Sequence, residues 1–389
     1  MKTPLKLAAL LLALINLRPA LAQNALEVIP PDEDAQINEI VKLTLPDVKK
    51  NRSQKTGEFG RDVHQKSNGC MKAEVSVLKD IDPRLAKGLF AQPTQTPYKA
   101  WIRFSAALPG ADKHDRSPDA RGMAIKVMGV HAPRISFEQG GNQDEQATQD
   151  FVMINNPVFF VNDVKEYLAL KQYGAKLGKL GLPAFLATHP ANALVVASMV
   201  TKIVENPLTQ TYFSMSPIQV GAGMAAKFKV EPYACDGVHL PGPSPTPFSS
   251  EYLREALIHS MDEGDACFYL KLQPQLVRAD GSPDEESTPV EQGLVNWDKS
   301  GAPYFAVATI RIPSALNKGK MGLDNKQRID FCEDISMDQW HALADHRPLG
   351  GLNRSRRKVY KAISDARLEA NSENRPGAKR FEPTGDEDL

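Results

Sequence analysis

The chain alternates between segments with strand-like and segments with helical spacing of apolar residues. Short apolar or alternating runs bounded by turn residues predict β-strands at 71–78, 100–105, 122–130, 135–138, 223–231, 266–276 and 303–312. Pro, Gly and Asp crowd the stretch 108–120, which predicts a loop. Helical spacing covers 158–205, where Asn162 and Asp163 can cap a helix, and returns at 352–368. Strands with helices grouped in the middle and at the end predict an α+β fold built on an antiparallel sheet or barrel.

The most apolar helical stretch, 183–200, is interrupted by His189, Pro190 and Asn192. A membrane-spanning helix needs about 20 consecutive apolar residues. The interruptions therefore favour a buried helical pair or a hydrophobic lid over a membrane span.

The N-terminal residues have the pattern of a secretory signal. Lys2 and Lys6 precede an apolar run at 7–17, and the small-x-small segment 20–22 offers a cleavage site. We expect a signal peptide at 1–22 and a periplasmic destination. A polar arm follows at 23–55, then one domain at 56–368 and a disordered tail at 369–389, which is poor in apolar residues.

Composition excludes several classes of protein. The 389 residues include 47 Lys and Arg against 47 Asp and Glu, so no charge excess indicates a nucleic-acid partner. The four cysteines form no CxxC or CxxCH motif, which argues against zinc ribbons, thioredoxin-like redox chemistry and covalently attached c-type haem. Disulfides and buried thiols both remain open, and no pairing can be read from the spacing.

A basic helix near the C-terminus carries the most informative spacing. Arg356, Tyr360 and Arg367 lie at 0°, about 40° and about 20° around a helix, so they share one face. Neighbouring positive charge favours a phenolate, and a tyrosine phenolate is a known ligand of ferric haem iron. The alternative is a surface tyrosine on a basic helix.

Five motifs, this helix included, occur in order along the chain. They are R-D-V-H at 61–64, R-F-S at 103–105, D-A-R-G at 119–122, N-P-V-F-F at 156–160 and the helix R-x-x-x-Y-x6-R at 356–367. With these motifs, residues 57–368 resemble the catalase superfamily, most of all the short exported catalase-related peroxidases. The resemblance implies a catalase-like antiparallel β-barrel core with helices packed outside, without the large C-terminal helical domain.

The resemblance also implies a site that binds haem b. His64 would be the distal acid–base catalyst, Ser105 would hold its second ring nitrogen, and Tyr360 would be the axial iron ligand. Other residues would hold the cofactor: Arg61, Arg103 and Arg367 its carboxylates, Arg356 the phenolate, and Phe159 the pocket wall.

The sequence departs from the family at the distal asparagine. The resemblance implies an asparagine four residues after an aspartate, but four residues after Asp150 comes Ile154, so the candidate Asn155 is one residue late. On a strand, a shift of one residue points the side chain to the opposite face unless a bulge restores it. We therefore expect a haem peroxidase that reduces hydroperoxides, in particular organic ones, with an unidentified electron donor. A true catalase and a non-catalytic haem-binding protein are the alternatives, and the sequence leaves the oligomeric state open.

Overall fold

The computed structural model describes residues 26–48, 52–54, 57–135, 148–235, 239–319 and 322–371. The expected signal peptide and nearly all of the expected tail lie outside these ranges. So does most of the strand expected at 135–138, of which only Ile135 is described.

Nine strands form one antiparallel sheet that closes on itself. The strands are β1 (Ser67–Val77), β2 (Tyr98–Ala106), β3 (Arg121–Val127), β4 (Gln149–Ile154), β5 (Tyr212–Phe213), β6 (Ile218–Gln219), β7 (Ala225–Tyr233), β8 (Ala266–Pro274) and β9 (Phe305–Ile312). Their order is β5-β4-β3-β2-β1-β9-β8-β7-β6, and pairing of β5 with β7 closes eight strands into a barrel to which β6 adds a short extension. The predicted α+β antiparallel barrel is confirmed.

Alternation along the strands separates the core from the site. On β2, Ile102 and Phe104 enter the barrel interior, where they pack with residues such as Phe151, Phe228 and Phe268. Successive strand residues point to opposite faces, so Arg103 and Ser105 project outward.

Seven helices pack outside the barrel. They are α1 (Glu33–Val48), α2 (Val164–Leu177), α3 (Gly181–Thr188), α4 (Pro190–Val200), α5 (Tyr252–Glu263), α6 (Lys326–Asp334) and α7 (Gly351–Asn371), counted over the described ranges. Asp163 caps α2 as expected, because its side chain accepts a hydrogen bond from the backbone N–H of Glu166. Among the residues described, no single helix is long and apolar enough to cross a membrane, although one pair bent by 118° meets that test jointly.

The expected arm carries α1, which packs on α7. Ile37 and Ile40 contact Val359 and Ile363 in one apolar cluster. At the start of α7, Arg354 makes ion pairs with Glu27, with Glu33 at 2.6 Å and with Glu291 at 3.0 Å. These contacts hold the N-terminal segment against the helix that carries Tyr360.

All four cysteines form disulfides. Cys70 on β1 is bonded to Cys332 on α6, and Cys235 is bonded to Cys267 on β8. Cys70 pairs in register with Arg103, so the first disulfide joins α6 to β1 at the position next to Arg103.

Candidate functional site

A cavity of about 400 Å³ lies between the outer face of the barrel and helix α7. The barrel side supplies Arg103, Ser105 and Gly122, the segment before β1 supplies Arg61 and His64, and α7 supplies, among others, Tyr360 and Arg367. The end of α6 and residues 335–341 complete the wall. This volume lies in the range of small-molecule and cofactor pockets.

His64 is held in an unusual backbone conformation beside the barrel. Its φ is 57°, a region that non-glycine residues rarely adopt, and its N–H donates to the carbonyl of Ala107 at 3.0 Å. The ring nitrogen Nδ1 lies 2.9 Å from Ser105 Oγ. Gly122 makes room for this ring, since a Cβ there would come within 2.5 Å of it.

His64 is neutral over the physiological pH range. Burial, followed by the charge of Arg103 and other nearby cations, lowers its pKa to about 3. With a proton on Nδ1 donated to Ser105, the lone pair of Nε2 is available in the cavity. The pair therefore provides a neutral base of fixed orientation.

Tyr360 also lines the cavity, but the expected pairing with Arg356 is not formed among the described residues. The Arg356 guanidinium donates to Gln339 Oε1 at 2.8 Å and to Asn353 Oδ1 at 3.1 Å, and it lies 5.0 Å from the centre of the Phe159 ring. Burial raises the pKa of Tyr360, and the charge of Arg356 opposes this only in part. As long as no cation contacts its oxygen, the phenol of Tyr360 therefore keeps its proton.

The three remaining arginines converge on one residue, Glu333 at the end of α6, two of them on its carboxylate and one on its backbone carbonyl. Its oxygens lie 2.9 Å from Arg61 Nη1 and 3.5 Å from Arg103 Nη2, and its backbone carbonyl accepts from Arg367 Nη2 at 3.2 Å. Burial alone raises the pKa of Glu333, but the three guanidiniums outweigh it and hold the pKa below its usual range. No local spacing in the sequence marks this glutamate, because its partners are far away along the chain.

The arginine cluster is suited to binding an anion. Burial, followed by the charge of Arg61, lowers the pKa of Arg103 to about 9. The buried Nε of Arg103 has no hydrogen-bond partner within the described residues. A buried, unsatisfied guanidinium favours a ligand that carries carboxylates. The residues present thus fit haem: Tyr360 as an oxygen ligand for iron, and Arg61, Arg103 and Arg367 for its carboxylates.

Asn155 lies outside the cavity lining given by the described residues. β3 and β4 pair without a register shift through Gly122 and Ile154, so no bulge brings Asn155 to the face of Ile154. The Oδ1 of Asn155 instead accepts from the backbone N–H of Arg121 at 2.8 Å. Its predicted contact with peroxide remains a prediction that this geometry does not favour.

Phe159 likewise lies outside the described lining. It stacks on Phe160, with ring centres 4.5 Å apart, and its ring contacts the guanidinium of Arg356 on α7. Its expected place in the pocket wall remains a prediction that this geometry does not favour.

A buried cluster of polar side chains that the sequence analysis missed includes His341, which lines the cavity. Lys126 Nζ and Asp150 Oδ2 lie 3.1 Å apart, and His341 Nδ1 lies 3.1 Å from each. Lys126 and Asp150 are direct neighbours in the β3–β4 register. An outward-facing Lys and an outward-facing Asp on adjacent strands could have indicated this pair from the sequence.

Comparison with solved structures identifies the fold. A bacterial catalase superposes with a TM-score of 0.58 at 17% identity over 83% of this chain and 60% of that chain. A fungal catalase gives a TM-score of 0.58 at 14% identity over 82% of this chain and 60% of that chain. No protein-family model and no curated protein matches the sequence. The chain therefore has a catalase-like fold, and it spans about 60% of the length of these catalases.

Proposed function

We propose that this chain, with its catalase-like fold, is an exported haem-dependent peroxidase that reduces hydroperoxides, organic ones above all, with electrons from an external donor. One observation carries the proposal: a single cavity brings together an oriented neutral imidazole, a tyrosine phenol and an arginine cluster in which the buried Nε of Arg103 has no hydrogen-bond partner within the described residues.

The haem would supply the redox-active iron, and the chain would supply the proton transfers. His64 Nε2 would accept the proton from one peroxide oxygen and return it to the other, which then leaves as water or an alcohol. A base with a low pKa returns its proton readily, which suits this second step.

The other side chains position these groups. Ser105 holds the His64 ring through Nδ1, and Gly122 leaves space for the ring beside β3. Arg61, Arg103 and Arg367 would bind the haem carboxylates, a role suited to the fork of the guanidinium group.

The position of Ile154 supports a peroxidase over an efficient catalase. It stands where the family's distal asparagine is expected, and it is buried in an apolar cluster with Ala120, Met199 and Met215. Loss of one transition-state hydrogen-bond donor costs about 3 kcal/mol, or on the order of a hundredfold in rate. Dismutation of hydrogen peroxide would therefore be slow relative to donor-dependent reduction.

Export is supported by two features. The signal-like pattern at 1–22 is typical of secreted bacterial proteins, and both disulfides suit an oxidising compartment such as the periplasm.

The test uses the full chain purified with haem. We expect a Soret band that Tyr360→Phe shifts or abolishes, and turnover of tert-butyl hydroperoxide with a chromogenic donor that exceeds oxygen release from hydrogen peroxide. His64→Ala should lower turnover on the order of 10²- to 10⁴-fold while the Soret band remains. His259→Ala, at a half-exposed site on α5, is the matched control.

Three outcomes would contradict the proposal. Full turnover in His64→Ala would remove the mechanism, and rapid oxygen release without a donor would indicate a true catalase. A stable Soret band without any peroxide turnover would indicate a haem-binding protein.

A further inference from the structure

The turn between α2 and α3 exposes an unusual combination of side chains. Leu177, Leu180 and Leu182 are 41%, 69% and 41% exposed. Two lysines of the same segment, Lys176 and Lys179, are exposed as well. We call residues 176–182 the leucine–lysine turn. Single exposed leucines are common on protein surfaces, but three within six residues form a patch that is typical of an interaction site.

The leucines are presented by a tightly packed turn. Gly181 lies against the backbone of Tyr173 and Gly174, where an added Cβ would come within 2.6 Å. Four residues after Gly181, Phe185 is fully buried and packs on Tyr173 and on His189. Because the underside of the turn is fixed in this way, its leucines cannot fold back onto the domain.

The charge around the turn has one sign. Residues 167–204 contain four lysines and no Asp or Glu. No hydrogen bond or ion pair joins the side chain of Lys176 or Lys179 to any residue in the described ranges. A symmetric contact with a second copy of the chain would bring these lysines together, which like-charge repulsion disfavours.

Leucines flanked by unpaired lysines complement an anionic lipid surface. In such a contact the leucines enter the boundary of the acyl chains, while the ammonium groups stay among the phosphates. The neighbouring helices fit a superficial contact: α3 and α4 have 8 and 11 residues and are therefore only about 12 and 16 Å long, against a hydrocarbon core of about 30 Å. Asn192 on α4 also anchors this region to the domain through the carbonyl of Phe160 at 3.0 Å.

We propose that the leucine–lysine turn docks the protein on the surface of anionic phospholipid membranes. This contact is independent of the reaction proposed above. It would place the enzyme beside a membrane without any segment of the described chain crossing it.

The test is vesicle flotation with the full chain. Vesicles of phosphatidylcholine with phosphatidylglycerol should bind the protein at least about tenfold more tightly than vesicles of phosphatidylcholine alone, and 0.5 M salt should release most of it. Lys176→Glu with Lys179→Glu should weaken binding to the anionic vesicles at least about tenfold, and Leu180→Ser about tenfold. Thermal melting and circular dichroism confirm that each variant is folded.

Matched substitutions elsewhere serve as controls. Val277→Ser removes an apolar side chain that is 67% exposed, and Lys79→Glu with Lys99→Glu reverses two exposed lysines on another part of the surface. Both controls should bind as the unmodified protein does. Equal binding to neutral and anionic vesicles, or unchanged binding of the turn variants, would overturn the proposal. A dimer that Leu180→Ser dissociates, with no vesicle binding, would assign the turn to a second copy instead.

Discussion

Replacing Gly122 with alanine tests whether the space beside β3 positions the catalytic base. An added Cβ would lie 2.5 Å from Cε1 and Nδ1 of His64 and 2.8 Å from Ser105 Oγ. The backbone of Gly122 lies outside the left-handed region, so the substitution causes a steric clash without backbone strain.

The magnitude follows from the distance. The imidazole must retreat by about 1 Å to reach an ordinary contact of about 3.5 Å. Displacement of a catalytic group by about 1 Å can cost on the order of a hundredfold in rate. Overpacking and the lost Ser105 hydrogen bond together should destabilise the fold by about 2 kcal/mol.

The assay compares peroxide turnover and urea unfolding of Gly122→Ala with those of Gly242→Ala, whose added Cβ meets nothing within 4 Å. Ser105→Ala removes the same hydrogen bond, so the effects of Gly122→Ala and Ser105→Ala should be less than additive. Normal turnover in Gly122→Ala, or strictly additive effects, would refute the argument that this glycine acts through His64.

Three further outcomes are expected. Ile154→Asn should raise oxygen release from hydrogen peroxide relative to reduction of organic hydroperoxides, as measured with an oxygen electrode, while urea unfolding shows a loss of about 1–3 kcal/mol from its apolar cluster. Opening the Cys70–Cys332 disulfide, with a sequence separation of 262, should lower the free energy of unfolding by about 2 kcal/mol more than opening the other, with a separation of 32. The pKa values of His64 and His346 are lowered to about 3 and about 4, so below about pH 6.5 the unfolded chain binds more protons than the folded chain. The free energy of unfolding should therefore fall as the pH drops from 6.5 towards 3. The fall should be smaller in His64→Gln. Unfolding free energies that stay constant across this pH range would contradict the last expectation.

Strand alternation made the barrel predictable. On β2, expected at 100–105 and found at Tyr98–Ala106, inward Ile102 and Phe104 alternate with outward Arg103 and Ser105. α1 escaped prediction because its segment is polar and contains Pro46. Its helix depends on tertiary contacts with α7 and on Arg354, which are separated from it by some 300 residues of chain.

The site was predictable where local geometry decides it. Helical spacing predicts Tyr360 and Arg367 on one face of α7, and both line the cavity. The direction of the Arg356 guanidinium could not be predicted in this way, because it depends on Gln339, which lies 17 residues upstream and outside the helix. Glu333 could not be distinguished from an exposed acid on a short helix, since only the folded chain brings three arginines to it.

The arginine cluster acts on the base as well as on anions. Burial is the largest cause of the low pKa of His64, and the charges of Arg103, Arg356 and Arg61 add to it. Glu333 neutralises only part of that charge. An anionic ligand beside Glu333 would neutralise more of this charge and so weaken the electrostatic part of the shift, while burial would still hold the pKa of His64 below its ordinary value. The same arginines thus favour an anion in the cavity and set the charge around the base that lies beside it.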